Sequence, residues 1–312
     1  MTSASAERSG VVEELHKPAR RNYPRRSVEI LGLFDLWQAD LVEMIPYAHV
    51  NKGYKYLLTV IDACSKMAWV EPLKSKTGTE VSAALKRVLK AAKKSPKNLQ
   101  VDMGTEFYNS NCKAVMREHG INLYSTYSAT KASIIERFNR TLKTKMWKRF
   151  SLQGSYRWVD ILGSLIHEYN HSVHRTTGMK PAEVKEEHVK SILERISKVA
   201  ALNQRKLTLK PKLKRGDLVR LSKQKAVFAK GYTPNWGTEI FKITQVQATR
   251  PVTYILEDLK GNPIKGGFYA EELQKTKFPD FYLVEKVLRR KKGEAYVKWL
   301  GFDSSHNSWI KS

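Results

Sequence analysis

Between residues 30 and 185 the spacing of apolar side chains changes period several times, the pattern of strands alternating with helices. Residues 54–62 and 67–73 are rich in aromatic and β-branched side chains on either side of a polar turn and predict a hairpin. Residues 34–44 read as the strand before it, which places Asp40 within a sheet. Over residues 78–93, Val81, Ala84, Leu85, Val88, Leu89 and Ala92 recur at helical spacing, and residues 99–101 then form a short strand whose end delivers Asp102. A helix over 109–119 and a strand over 121–125 follow. Further on, Ile134, Phe138, Leu142, Met146 and Phe150 recur every four positions as one apolar stripe, with Glu136, Arg140 and Lys143 on the opposite face. Residues 158–169 predict another amphipathic helix, and Pro181 sits where the first turn of a further one would begin.

The pattern changes on both sides of this α/β core, assigned to residues 31–185. Residues 1–30 are dominated by Pro, Arg and Ser and read as a basic extended arm, with Arg20, Arg21, Arg25 and Arg26 around Pro18 and Pro24. That cluster suits a nuclear address, a DNA-contacting arm or a solvated leader equally well. Residues 186–212 are densely charged and read as a helical or extended linker. Residues 213–276 alternate apolar and polar positions between Gly, Asn and Pro turns, which predicts a small β-barrel with Trp236 and Phe241 in its core. Residues 280–312 predict a compact three-stranded sheet.

Charge narrows the function. The 312 residues hold 56 Lys and Arg against 30 Asp and Glu, a formal charge of +26, which self-repels unless a polyanion is met. Nucleic acid is the expected partner, and a membrane is not, because no long apolar run or amphipathic anchor occurs. Cys64 and Cys112 are the only cysteines, too few for a disulfide framework or a four-cysteine zinc site. Against this basic background three acids stand in distinctive surroundings: Asp40, Asp102 and Glu136. Hard carboxylate oxygens converging from separate elements are what a two-metal phosphoryl-transfer site requires. Ser133 and Glu136 also have capping-box spacing, which gives that carboxylate a competing role at a helix start. Asp62 reads as a turn-fixing residue, and Glu106 as support for the acids. Lys145, Lys148 and Arg149 extend the cationic face begun by Arg140 and Lys143. Lys210, Lys212, Lys214, Arg215, Arg220, Lys223 and Lys225 form a second basic group at the start of the barrel.

Five words, in order, carry a resemblance: Leu36-Trp37-Gln38-Ala39-Asp40-Leu41-Val42, Tyr56 to Asp62, Asp102-Met103-Gly104-Thr105-Glu106-Phe107, Lys131 to Lys143 around Glu136-Arg137-Phe138-Asn139-Arg140, and Tyr169 to Pro181. In these the chain resembles the catalytic domain of retroviral and retrotransposon integrases, and within that group the integrases of Maverick or Polinton transposons. The resemblance implies a ribonuclease-H-like core, followed at 213–276 by an SH3-like DNA-binding barrel. It implies Asp40, Asp102 and Glu136 as catalytic residues holding two Mg2+ (or Mn2+) ions, with Asp40 bridging the pair. The implied reaction is DNA 3′-end processing followed by strand transfer, in the nucleus and by a homo-oligomer. Arg140, Lys143, Lys145, Lys148, Arg149, Lys214 and Arg215 are the implied DNA contacts. Met103 departs from the polar residue usual at its position. The leader offers only His16 and no cysteine, so no zinc module is expected there.

Residues 282–288, 296–302 and 307–309 resemble a chromodomain, truncated at its end. By position Tyr282, Trp299 and Phe302 form a cage for methylated lysine on histone tails, an implication weighed against three aromatics serving as sheet core. The alternative to an active integrase is a catalytically inactive, domesticated DNA- and chromatin-binding protein.

Overall fold

The computed structural model describes residues 3–20, 22–26, 28–125, 133–204, 210–223 and 232–311. The chain divides into two compact units, residues 27–203 and residues 1–26 together with 204–312. Helix α1 (Ser3–His16) opens the chain and belongs to the second unit.

In the first unit β1 (Leu36–Glu43), β2 (Tyr56–Asp62), β3 (Ala68–Leu73), β4 (Asn98–Gln100) and β5 (Asn122–Tyr124) form one sheet of order β3-β2-β1-β4-β5. The β1, β2 and β3 pairings are antiparallel, whereas β4 joins β1, and β5 joins β4, in parallel. Both faces are covered. The two-residue alternation sends Trp37, Ala39, Leu58 and Val60 into one core, against α2 (Gly78–Ala92) and α3 (Ser110–Glu118). It sends Val42, Leu57 and Ile61 into the other, against α4 (Ser133–Gln153) and α5 (Val159–Asn170). Strand β2 is accordingly buried at every residue.

Helix α4 buries Phe138, Leu142, Met146 and Phe150 as its four-residue stripe requires, with Ile135 rather than Ile134 as the fully buried residue of the first turn. Pro181 opens only a 3-10 turn, Pro181–Glu183, and the next long helix is α6 (Val189–Gln204). Asp62 fixes its turn as expected. One carboxylate oxygen accepts from the Cys64 and Ser65 amides and the Ser65 hydroxyl, and the other from the Phe34 amide and the Trp37 indole.

In the second unit β6 (Leu218–Leu221), β7 (Phe241–Gln247), β8 (Thr253–Asp258), β9 (Pro263–Tyr269) and β10 (Leu273–Lys275) form an antiparallel sheet of order β10-β6-β7-β8-β9. The tail adds a separate three-stranded sheet of β11 (Val284–Lys291), β12 (Glu294–Trp299) and β13 (Ser308–Lys311).

The extended arm read from the sequence is corrected at Ser3–His16, which is helical. Val11 and Leu15, four residues apart, bury against Trp236, with Phe278, Phe281 and Leu283 packed around them. Glu14 enters the same interface and accepts from Arg220 Nε at 3.5 Å, Thr276 Oγ1 at 2.8 Å and the Lys277 amide at 2.7 Å. Arg220 is therefore buried and paired, and leaves the group of cations expected to meet phosphate. Arg21, Lys131, Lys206 and Lys225 lie outside the described residues.

Candidate active site

Strands β1 and β4 run parallel with Gln38 beside Gln100. Two residues on along each strand direction stand Asp40 and Asp102, so the period of two turns both acids toward the face that carries α4. Gln38 and Gln100 are buried and linked, Gln38 Nε2 donating to Gln100 Oε1 at 2.8 Å. Gln38 Oε1 accepts from the backbone N–H groups of Ile134 and Ile135 at 3.1 and 3.0 Å, which satisfies two free donors at the start of α4. Glu136 follows in that first turn. Gln38 is thus the acceptor for the α4 N–H groups, a contact the capping-box spacing does not reveal.

Asp40 is half-buried. Its Oδ1 accepts from the Leu41 amide and its Oδ2 from Asn139 Nδ2, each at 2.8 Å. Burial pushes the Asp40 carboxyl above the usual carboxylate range. The neighbouring Asp102 charge adds to that rise, while the Leu41 N–H, the Asn139 amide and the Lys143 ammonium oppose it. The other oxygen of Asn139, Oδ1, is buried and has no hydrogen-bond partner among the described residues.

The structure brings Asp40 and Asp102 within electrostatic reach of each other and leaves Asp102 and Glu136 exposed. Among the described residues it gathers no group of three His, Cys, Asp or Glu side chains close enough to hold a metal ion. Like charges oppose closer approach of the three carboxylates. Glu136 nevertheless shares the helix face of Asn139 and Lys143, three and seven residues on, and those two residues meet Asp40. Hard carboxylate oxygens and an unpartnered buried amide oxygen suit a hard divalent cation.

Of the cations named from the sequence, Arg140, Lys143, Lys148 and Arg149 are exposed on α4, and Lys143 and Lys148 share a shallow depression with Trp147. Lys145 instead turns to α5 and pairs with Glu168. Lys214 and Arg215 are exposed in the second unit, whereas Lys212 pairs with Glu271 at 3.1 Å.

In the tail, Tyr282 stands edge-on to Trp299 and Phe302, with ring centroids 6.0 and 5.6 Å away. All three rings are half-exposed and line a cavity of about 530 Å3 together with Glu239, Asp258 and Asp303. Gly301, at φ +83°, sits against Thr238 so closely that a Cβ there would lie 1.9 Å from its hydroxyl oxygen.

The sheet thus carries one acid within β1, a second two residues past the end of the parallel strand β4, and a third in the first turn of the covering helix. Residues 34–128 match the integrase core domain. An uncharacterized transposon-derived protein of Caenorhabditis elegans, F54H12.3, is 36% identical over 198 residues, 64% of this chain and 65% of that one. The Gag-Pol polyprotein of feline leukemia virus is 29% identical over 150 residues, 47% of this chain and 8% of the polyprotein. The chain thus spans less than two thirds of the length of either relative. Among solved structures, the simian T-cell lymphotropic virus intasome in complex with the PP2A regulatory subunit B56 gamma aligns over 84% of this chain and 84% of that one. The TM-score is 0.54 at 16% identity, a likeness of fold. Residues 34–128 are thus similar to an integrase core domain, with retroviral and transposon-derived proteins among the similar sequences, and Asp40 and Asp102 fall inside the matched segment.

Proposed function

We propose that this chain is an integrase that processes DNA 3′ ends and joins them to target DNA in the nucleus, with Asp40, Asp102 and Glu136 as its catalytic residues. The observation that carries the reading is the placement of Asp40 and Asp102 beside each other past Gln38 and Gln100, under a helix whose first turn holds Glu136. These carboxylates would hold magnesium or manganese, and such an ion, when bound, lowers the pKa of water or of a 3′-hydroxyl and stabilises a leaving oxyanion. Asn139 fixes the direction in which the Asp40 carboxylate points. Lys143 and Arg140 bind phosphate and align the scissile strand, and Lys148 and Arg149 continue the track along α4. The SH3-like unit, through Lys214 and Arg215, adds sequence-independent contacts, and joining two DNA ends calls for more than one copy of the chain. The test is strand transfer of candidate terminal DNA with Mg2+. Asp102→Asn is expected to abolish joining and to leave non-specific DNA binding intact; joining that survives the change removes Asp102 from the site.

A second reading concerns the tail. We propose that Tyr282, Trp299 and Phe302 receive a methylated lysine. Their half-exposure around a cavity lined by Glu239, Asp258 and Asp303 as well as Lys260 and His306 supports it, whereas rings serving as sheet core would be covered. A desolvated cation–π contact contributes up to about 2 kcal/mol. Titration with trimethylated and unmodified histone-tail peptides decides, and equal affinities would remove the cage.

A further inference from the structure

We infer that Gln38 and Gln100 are positioning residues, a buried pair of amides that fixes the first turn of α4, and with it Glu136, over Asp40 and Asp102. The inference rests on the catalytic reading above and adds to it what holds the third acid in place. Three hydrogen bonds run in one direction: the Ile134 and Ile135 N–H groups donate to Gln38 Oε1, and Gln38 Nε2 donates to Gln100 Oε1. Because the helix offers only donors there, the Gln38 amide has one orientation that satisfies all three contacts, and the contact to Gln100 locks it. Both glutamines are buried, so water does not substitute for either partner.

The geometry ties together the three elements that carry the acids. Gln38 precedes Asp40 by two residues on β1, Gln100 precedes Asp102 by two after β4, and the helix contacts fall one and two residues before Glu136. A shift of α4 along the sheet breaks the chain before it moves Glu136 far. Beyond it, Asn139 Nδ2 meets Asp40 Oδ2 one turn further on, so the helix start is fastened to β1 at two points. Neither glutamine needs to touch DNA or metal for this. Each acts through the backbone that carries a carboxylate.

Gln38→Met keeps the length and volume of the side chain and removes the amide, so packing of the sheet is retained. In the 312-residue chain, amide exchange at Ile134 and Ile135 is expected to rise by about tenfold, the loss of one helix cap. Mn2+ binding, followed by electron paramagnetic resonance, is expected to weaken by about tenfold as Glu136 loses its register. Gln38→Glu, which keeps the acceptor for the helix but loses the donor to Gln100 Oε1, is expected to restore only part of the exchange protection. Should Gln38→Met unfold the chain, Gln100→Met breaks the outer link and carries the same expectation at smaller size. Unchanged exchange at Ile134 and Ile135, or faster exchange with Mn2+ bound as tightly as before, overturns the inference. If the unaltered chain binds no Mn2+ and joins no DNA, the catalytic reading itself fails and takes this one with it. If the unaltered chain does both and Gln38→Met does them equally well, this inference alone falls.

Discussion

Replacing Glu14 with Ala tests whether the N-terminal helix is a working part of the C-terminal unit. The Glu14 carboxylate receives three donors, and the guanidinium it faces is only 1% exposed. Arg220 Nη1 donates to the Thr238 carbonyl, and Nη2 has no partner among the described residues, so no other group there takes over the charge. Removing one partner of a buried ion pair costs about 3–5 kcal/mol, because the remaining charge stays desolvated. Glu14→Gln keeps an acceptor but not the charge, and an expectation of about 2 kcal/mol follows from the worth of a charge-assisted hydrogen bond. The two compact units need not unfold together, so the readout must be local. Urea titration with hydrogen exchange measured over Leu218–Leu221 and Leu273–Lys275 supplies it. At an m-value of about 2 kcal/mol per molar, Glu14→Ala is expected to lower the midpoint of these strands by about 2 M. A loss below about 1 kcal/mol would refute the argument and return α1 to the status of a detachable leader.

Three further outcomes are expected. Asp40→Asn should stabilise residues 27–203 at neutral pH: burial and the Asp102 charge raise the folded pKa of Asp40, so its contribution worsens as pH rises through the range just above a normal carboxylate. Asn139 can turn its unpartnered Oδ1 toward the new amide, and melting curves of the two proteins should converge in acid. His174 behaves in the opposite sense, its pKa pushed down to about 4 by burial and by the Lys66 and Arg137 charges. The unfolded chain takes up that proton first, so stability present above about pH 6.5 is lost toward pH 4, by about 2 kcal/mol after allowing for solvent screening, and His174→Gln should flatten the slope of urea midpoints between pH 7 and 4.5. On DNA, Lys143→Ala should weaken binding and reduce the salt slope by about 1, while Lys145→Ala should change it less because Glu168 already holds that ammonium; equal slopes for the two variants would show that the pairing is immaterial.

The parts of the molecule legible in the sequence are those whose cause is local. The α2 stripe and the strand-then-acid pattern at Asp102 follow from spacing, and Asp62 could be assigned to its turn from its neighbours alone. What escaped has one physical origin, polar groups buried by partners far along the chain. Glu14 meets Arg220 across 206 positions, and Gln38 meets Ile134 across 96. No periodicity encodes such a pairing: a polar residue on a buried strand face looks like any other break in the apolar pattern. The leader escaped through an apolar contact just as distant, since Val11 and Leu15 make a stripe too short to predict a helix until Trp236 covers it.

This origin also changes what the charge of +26 means. Composition counts every lysine and arginine as available to phosphate, but a cation already desolvated or paired releases fewer counterions when DNA arrives. Arg220 is lost to Glu14, while Lys145 and Lys212 share their charge with Glu168 and Glu271. Arg140, Lys143, Lys148 and Arg149 along α4 and Lys214 and Arg215 before β6 are exposed and form no ion pair among the described residues, as is also true of Lys286, Arg289, Arg290 and Lys291 on β11. DNA affinity should therefore respond more to loss of an unpaired cation than to the same loss of charge at a paired one, so that Arg140→Ala with Lys143→Ala outweighs Lys212→Ala with Lys145→Ala although each pair removes the same formal charge.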